Sequence, residues 1–304
     1  MMEMKRQRMI LLLLLGAAAL SLGESAAVQQ SVRQGLSLCA RSVIPALLPF
    51  LVVSSLLVSQ GFGQWAGRGL GGMMEGLFRL PGCGGAALAL GFAAGYPVGA
   101  RTAAELYREG QLTKEEAQRL LTFCNNANPA FLVTVLGRGV FHSARTGMWL
   151  WLIHVAAAFC TGLLFRSPEQ RGLSRRIGRE ERRKKSFASA FVEAVGSGAL
   201  AMVGICGFVT VFYVLSRPLA ALPGKAGMLL TGLTELFSLT PRLTADGGGF
   251  VIAAACAGFG GVSVLCQTAA VLEDSDLSNR WCVTGKLVQG LLSAVFALIV
   301  WQWL

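Results

Sequence analysis

Residues 84–104 read GGAALALGFAAGYPVGARTAA, an apolar, glycine-rich stretch with no charged side chain before Arg101. The stretch is apolar enough for a membrane-embedded helix, but it is interrupted after its middle. Gly95 adds backbone freedom and Pro97 removes a backbone donor, so both residues weaken a continuous helix. Backbone groups freed inside a bilayer are tolerated only where protein buries them or where they line a cavity. The stretch therefore predicts a broken membrane helix.

The whole chain has the composition of a membrane protein. Hydrophobic residues make up 54% of its 304 residues and charged residues only 14%, whereas soluble domains carry about 25% charged residues. The mean hydropathy is +0.58. The 38 glycines suit helices that approach one another closely in a bilayer. These values exclude a soluble globular domain and predict an all-α, polytopic integral membrane protein with about eight to ten membrane segments.

The positive charge is concentrated in one segment. The net charge is +11, and the densest cationic run, residues 166–185, lies between two apolar stretches. Positively charged loops normally stay on the cytoplasmic side and attract anionic lipid headgroups. We therefore predict a basic cytoplasmic loop at residues 167–186. The expected partner is the lipid bilayer, and no nucleic acid is expected.

The N-terminal segment, residues 1–30, combines basic residues with the apolar run 9–22. A cleaved signal peptide and a retained first helix both have this pattern. The long apolar segment at residues 32–58 follows directly, which favours a retained membrane helix. Lys5, Arg6 and Arg8 would then hold the N-terminus in the cytoplasm.

The features of the chain recur in the same order on both sides of the basic loop. The matched pairs are GMMEGLF at 72–78 with GLTELF at 232–237, Gly95 to Thr102 with Gly261 to Thr268, and Leu112-Thr113 with Leu277-Ser278. Hydrophobic segments interrupted by Gly or Pro at corresponding positions are typical of secondary transporters built from inverted repeats. We predict two related, inverted repeats with broken or re-entrant segments, at residues 31–166 and 187–304. Alternatively, the glycines only permit tight helix packing.

Polar residues within these apolar segments are the candidates for a substrate site. A carboxylate inside a membrane is costly and is functional by default, although Glu75 and Glu235 could instead lie hydrated at the interface. The Asn side chains around residue 126 could offer amides to a ligand or cap helix ends beside Pro129. The predicted substrate-binding residues are Glu75, Gly95, Tyr96, Pro97, Asn125, Asn126, Asn128, Glu235, Gly261, Ser263 and Gln267.

Signatures of an enzyme or a metal site do not occur in this sequence. It contains no nucleophile elbow, no phosphate-binding loop and no zinc motif. The eight cysteines show no C-x-x-C spacing, so we expect free thiols and no disulfide framework. No catalytic residue, metal ion or cofactor is predicted.

Several motifs together resemble the YlbJ/SpoVV family of sporulation integral membrane proteins, which is grouped with proteins that carry the nucleoside-recognition "gate" domain. In the first half the motifs are GYPVGAR at 95–101, GQLT at 110–113, EAQRLL at 116–121 and FCNNANP at 123–129. Further motifs are VIPALLPF at 43–50, GFGGVSV at 258–264 and DLS at 276–278. The resemblance thus extends over most of the chain.

The resemblance implies a transporter that endospore-forming bacteria make in the mother cell. Its implied cargo is dipicolinate, moved toward the forespore across the outer forespore membrane. From the residues themselves we expect a transporter of a small anionic or polar metabolite, because half-helix N-termini favour a carboxylate. A nucleoside-type carrier and a non-transporting membrane scaffold or assembly factor for sporulation are the alternatives.

Overall fold

A computed structural model describes residues 23–60, 62–167 and 186–304, together with Leu11 and Leu15. All the regular elements in these ranges are helical. The α-helices are α1 (Ser25–Leu38), α2 (Ile44–Ser59), α3 (Phe62–Met73), α4 (Gly84–Ala94), α5 (Val98–Arg108), α6 (Lys114–Leu121), α7 (Ala144–Leu164), α8 (Phe187–Ala220), α9 (Gly224–Thr234), α10 (Leu236–Leu239), α11 (Gly247–Phe259), α12 (Gly261–Leu272) and α13 (Asn279–Trp301). Three π-helical segments, Cys39–Val43, Met74–Phe78 and Ala130–Val140, and one 3₁₀ turn, Thr240–Arg242, complete the elements.

Five of the described helical segments are long and apolar enough to cross a membrane. They are Ser25–Leu57, Ala144–Leu164, Phe187–Leu219, Gly247–Leu272 and Asn279–Trp301. Two shorter apolar helices, Gly84–Ala94 and Ala130–Val140, accompany them. Large apolar side chains point outward, as lipid requires: Val192, Leu200 and Val203 of α8 are 72%, 76% and 70% exposed. The protein is therefore a multi-pass, all-α integral membrane protein, as predicted.

The first described span differs from its predicted extent. It begins at Ser25, before the predicted start at residue 32, and continues to Leu57 as one apolar helix. A π-helical turn, Cys39–Val43, lies directly before Pro45, and Pro49 lies within α2. A π turn and a proline both disturb the regular hydrogen bonding of a helix. The predicted helix of residues 1–30 and the basic loop of residues 167–186 lie mostly outside the described residues, and their sidedness stays a prediction.

The two predicted helix breaks are confirmed. Helix α4 ends at Ala94, and Gly95 follows with a φ of 86° before the cis Tyr96-Pro97 peptide and α5. Helix α11 ends at Phe259, and Gly260 and Gly261 have φ values of 89° and 84° at the start of α12. L-residues with a side chain rarely adopt such positive φ values. Both breaks therefore depend on glycine.

A second use of glycine brings the two halves of the first broken helix together. A Cβ atom at Gly91 of α4 or at Gly99 of α5 would overlap the carbonyl oxygen of Cys124. The segment after α6 therefore passes directly between the two half-helices. This passage positions residues 125–128 beside the first break.

The polar turns of the two predicted repeats also contact each other. Thr113 and Glu116 form a capping box at the start of α6, and Ser278 caps α13. Asp276, just before Ser278, accepts hydrogen bonds from Lys114 Nζ at 2.8 Å and from the Tyr107 hydroxyl at 2.7 Å. The matched turns thus meet on one exposed face. The inverted-repeat symmetry itself stays a prediction, as do the repeat boundaries.

Candidate functional site

A small buried cavity lies where the two helix breaks approach each other. Its volume is about 40 Å³, and most of its wall is apolar, from Leu47 and Leu51 of α2 to Ile205 and Val209 of α8. Five of the predicted site residues also line it: Gly95, Tyr96, Asn128, Glu235 and Gln267. A mostly apolar cavity with a few convergent polar groups is the usual form of a small-molecule site.

Tyr96 joins the first break to the second. Its hydroxyl donates a 2.7 Å hydrogen bond to the carbonyl oxygen of Ala257, in the last turn of α11. Its ring lies against Gly260, where an added Cβ would come within 3.3 Å of the ring and the hydroxyl oxygen. The side chain of one break thus satisfies a backbone group beside the other, which an exposed carbonyl at membrane depth requires.

Asn128 supplies the hydrogen bonds that the first break leaves unmade. Its Nδ2 donates to the carbonyl oxygen of Ala94, the last residue of α4, at 3.3 Å. Its Oδ1 accepts from the Phe131 N–H at 2.8 Å, in the first turn of the next helical segment. The amide therefore caps helix ends, which is one of the two roles considered from the sequence. Asn128 also lines the cavity, and its role in substrate binding stays a prediction.

Asn125 and Asn126 lie behind the cavity wall instead of facing the cavity. Both side chains are fully buried. Asn125 Nδ2 donates to Thr268 Oγ1 at 2.9 Å, and Asn126 Nδ2 donates to the carbonyl oxygen of Phe123 at 2.8 Å. Asn126 Oδ1 in turn accepts from Gln289 Nε2 at 2.9 Å. Asn125, a predicted substrate-binding residue, therefore does not line the cavity, because its amide is directed toward Thr268 of α12.

Glu235 forms the acidic part of the cavity wall. It is 2% exposed and lies between α9 and α10, where its carboxylate accepts the Ser238 N–H and caps α10. Gln267, 8% exposed, reaches back along α12 to Ser263, with Nε2 3.5 Å from Oγ. The carboxylate at position 235 therefore lies in the protein interior and not at a hydrated interface.

The remaining predicted site residues do not line the cavity. Gly261 and the buried Ser263 belong to the first turn of α12, and Pro97 precedes the first turn of α5. Glu75 is exposed, on the π-helical segment Met74–Phe78. The expected correspondence of Glu75 with Glu235 is therefore not seen in their surroundings, because Met74 and Phe78 occupy the buried face of that turn and leave Glu75 outside.

Lys286, which is not among the predicted site residues, lies in the interior of α13 and is completely buried. Its Nζ donates to Gln289 Oε1 at 2.6 Å and lies 5.2 Å from the centre of the Tyr96 ring. The same Gln289 donates to Asn126 Oδ1 and to the carbonyl oxygen of His154. The signal available was a charged residue well inside the last apolar span, whose other charge, Arg280, lies in the first turn. An intramembrane charge is expensive and is functional by default.

The described residues contain no group of three or more His, Cys, Asp or Glu side chains placed to hold a metal ion. The eight cysteines are free thiols. The polar groups at and beside the cavity are amides, the Glu235 carboxylate, the Lys286 ammonium group and the Tyr96 phenol.

Comparison with known proteins gives one matching family and one curated relative. The Gate family, described as "Nucleoside recognition", matches residues 40–143, which include the first break and the Asn residues beside it. The sporulation integral membrane protein YlbJ of Bacillus subtilis (strain 168) is 29% identical over 90% of this chain and 77% of its own length. The chain is a homologue of YlbJ. No solved structure matches it.

The Gate domain supplies only part of the candidate site. Gly95, Tyr96 and Asn128 fall within residues 40–143, whereas Glu235, Gln267 and Lys286 come from the chain after the domain. The site of this YlbJ homologue is therefore completed by tertiary contacts across the two parts of the chain.

Proposed function

We propose that the protein is a membrane transporter for a small anionic metabolite and that its cargo is dipicolinate. The observation that carries this proposal is the meeting of two helix breaks at one buried cavity. Broken helices that face each other near the middle of a membrane protein are the arrangement in which secondary transporters bind their substrates. A scaffold needs no such cavity, since helices that only pack together satisfy their backbone groups internally.

An anionic cargo is supported by the ends of the half-helices. The N-termini of α5 and α12 both begin at the breaks, and residues beside them, Tyr96 and Val264, line the cavity. The first turns of a helix carry unpaired N–H groups and the positive end of the helix dipole, which favour a carboxylate. Two such ends at one cavity suit a small molecule with two carboxylates better than a neutral one.

Dipicolinate as the cargo is supported by the homology to a sporulation membrane protein. We accordingly propose that the protein acts in the outer forespore membrane, where a mother-cell product would pass toward the forespore. The Gate description, "Nucleoside recognition", supports a nucleoside as the second candidate cargo. The two cargoes differ in charge, so one assay separates them.

The cavity must widen before it can hold such a cargo. A volume of about 40 Å³ has room for a few water molecules only. Helices α2 and α8 contribute opposing apolar residues to the wall, including Leu47 and Ile205. Separation of these helices from the breaks would admit the cargo, and rocking of one part of the molecule against the other would release it on the opposite side.

Uptake into proteoliposomes tests the proposal. Purified protein is reconstituted, and the entry of radiolabelled dipicolinate is compared with that in protein-free vesicles and in the presence of a nucleoside panel. We expect uptake that saturates and that nucleosides do not inhibit. Inhibition by nucleosides together with nucleoside uptake would favour the nucleoside carrier, and no uptake of either class would favour the scaffold.

A further inference from the structure

Lys286 forms no salt bridge with a carboxylate of the described residues. Its side chain is fully buried. The ammonium group carries three donors, and its one described hydrogen bond goes to the neutral amide of Gln289. A buried charge is normally paired, because burial removes the water that stabilises it.

The contacts that Lys286 does make compensate its charge only in part. The Tyr96 ring offers its negative face at 5.2 Å, a cation–π contact that attracts the ammonium without neutralising it. Gln289 is itself held by Asn126 and by the His154 carbonyl, which fixes the position of its Oε1. These neighbours orient the Lys286 side chain, but neither of them carries a compensating negative charge.

A second unused donor lies in the same cluster. His154 is 1% exposed, and its Nε2 accepts the Ala127 N–H at 3.1 Å. A neutral imidazole with an accepting Nε2 carries its proton on Nδ1, and this buried Nδ1 has no partner among the described residues. Gln289 links the two residues, because it accepts from Lys286 Nζ and donates to the carbonyl oxygen of His154. Two buried groups with unused donor capacity, the Lys286 ammonium with one described acceptor and the His154 Nδ1 with none, therefore occur together.

We propose that Lys286, with His154 beside it, forms a binding site for a carboxylate group of the transported molecule. The inference rests on the proposed transport function and deepens it, because it assigns the cargo's charge to a particular partner. A carboxylate supplies acceptors for the unused N–H groups of Lys286 and His154, and its negative charge would neutralise the ammonium.

Tyr96 separates this site from the cavity. Tyr96 lines the cavity, whereas Lys286 does not, and the ammonium lies over the Tyr96 ring. A carboxylate that enters the cavity reaches Lys286 when the ring swings aside. The cation–π contact is then exchanged for an ion pair, so cargo binding would release the side chain that joins the two breaks.

The test compares two probes that differ in charge but hardly in shape: pyridine-2,6-dicarboxylate and the uncharged pyridine-2,6-dicarboxamide. Binding of each is measured by calorimetry on the full-length protein in detergent. For Lys286→Met we expect the affinity for the dicarboxylate to fall by about tenfold or more, the size associated with loss of one charge-assisted hydrogen bond. Affinity for the diamide should stay unchanged. The matched control is Lys225→Met, since the Lys225 side chain is 61% exposed.

A second variant keeps the test decisive if Lys286→Met does not fold. Gln289→Glu replaces the side-chain amide, whose Oε1 already lies 2.6 Å from Lys286 Nζ, with a carboxylate. The internal ion pair should then occupy Lys286 and weaken dicarboxylate binding selectively. Unchanged dicarboxylate affinity in either folded variant would overturn the inference while leaving transport intact. Absence of dicarboxylate binding by the unaltered protein would instead overturn the proposed function.

Discussion

The Tyr96 hydroxyl lies 2.7 Å from the carbonyl oxygen of Ala257 and donates a hydrogen bond to it. Tyr96 belongs to the first helix break, and Ala257 lies one turn before the second. The same side chain makes two further contacts. Its ring packs on Gly260, and the Lys286 ammonium lies over the ring. Tyr96 is thus the residue through which the two breaks and the buried charge contact one another.

Tyr96→Phe should show the contribution of the hydrogen bond to Ala257 apart from that of the ring packing. The ring and its contact with Lys286 remain, but the Ala257 carbonyl loses its partner at membrane depth. We expect a loss of about 1 kcal/mol in the free energy of unfolding, the typical net value of a hydrogen bond, and a changed uptake rate. Thermal unfolding in detergent and proteoliposome uptake measure the two effects.

Tyr213→Phe is the control for that variant, because the Tyr213 hydroxyl is 3.5 Å from Gln34 Oε1 on the exposed side of α8. Its stability and uptake should equal those of the unaltered protein. Equal behaviour of both Phe variants would mean that the bond between the breaks contributes nothing measurable.

Gly95→Leu should abolish transport while the protein still inserts into the membrane. Gly95 has a φ of 86°, and an added Cβ would lie 3.1 Å from Asn128 Cβ and 3.2 Å from Asn128 Nδ2. A leucine there is strained and displaces the amide that caps both helix ends. Cargo uptake and the amount of protein in the membrane are measured in the same cells.

Gly69→Leu provides the matched control, since a Cβ at Gly69 of α3 meets nothing within 4 Å. This variant should insert and transport normally. Normal transport by Gly95→Leu as well would show that the first break is ordinary packing on which transport does not depend.

Thr268→Val should destabilise the protein more than Thr102→Val, the corresponding change in the first half. Valine nearly preserves the shape of Thr268 but leaves Asn125 Nδ2, fully buried, without its partner at 2.9 Å. A buried donor without a partner costs about 1–3 kcal/mol. Thr102, its counterpart in the predicted repeat, bonds only the carbonyl of Val98 within its own helix.

The same unfolding measurement on Thr102→Val should therefore show a change within about 0.5 kcal/mol. A similar loss in both variants would indicate that the hydroxyls act only within their own helices, and that Asn125 does not couple the two halves.

The contact between the two polar turns should depend on pH. The hydrogen bond from Lys114 lowers the pKa of the Asp276 carboxyl, and the bond to Asp276 raises the pKa of Lys114 and of Tyr107. A carboxyl with a lowered pKa stabilises the folded state above its unfolded pKa, and this contribution is lost as the pH falls through the folded value. The contribution of Lys114 is lost as the pH rises through its own raised pKa.

Asp276→Asn should abolish the acidic part of this dependence. Unfolding temperatures of the two proteins are compared across the acidic range and at two salt concentrations. We expect a small difference near neutral pH, because the pair is exposed, and convergence of the two curves as Asp276 becomes protonated. Curves that stay parallel down to the lowest pH would contradict the contact.

Much of the architecture could be predicted because it depends on local properties of the chain. Transfer of apolar residues into lipid is nearly additive along a segment, so the spans follow from composition. Gly95, Gly260 and Gly261 break helices by their own backbone preferences. The Thr113–Glu116 capping box likewise involves residues three apart, which meet in any helix that starts there.

Contacts between distant residues could not be predicted in this way. Asn125, Asn126 and Asn128 are near neighbours in the sequence, yet only Asn128 lines the cavity. Glu75 and Glu235 stand in similar local sequences, but one is exposed and the other is buried. Local sequence specifies that such side chains are polar, whereas the packing of other helices decides which of them meets the cavity.

The sequence by itself therefore determined a multi-pass helical membrane protein with two breaks and a set of polar candidates. Only the tertiary structure placed Lys286 over the Tyr96 ring and brought Glu235 and Gln267 to the cavity that Gly95 also lines. The physical reason is the range of the forces involved. Solvent transfer and backbone preference act on each residue and its neighbours, whereas a buried ammonium finds its partners only after distant helices have packed around it.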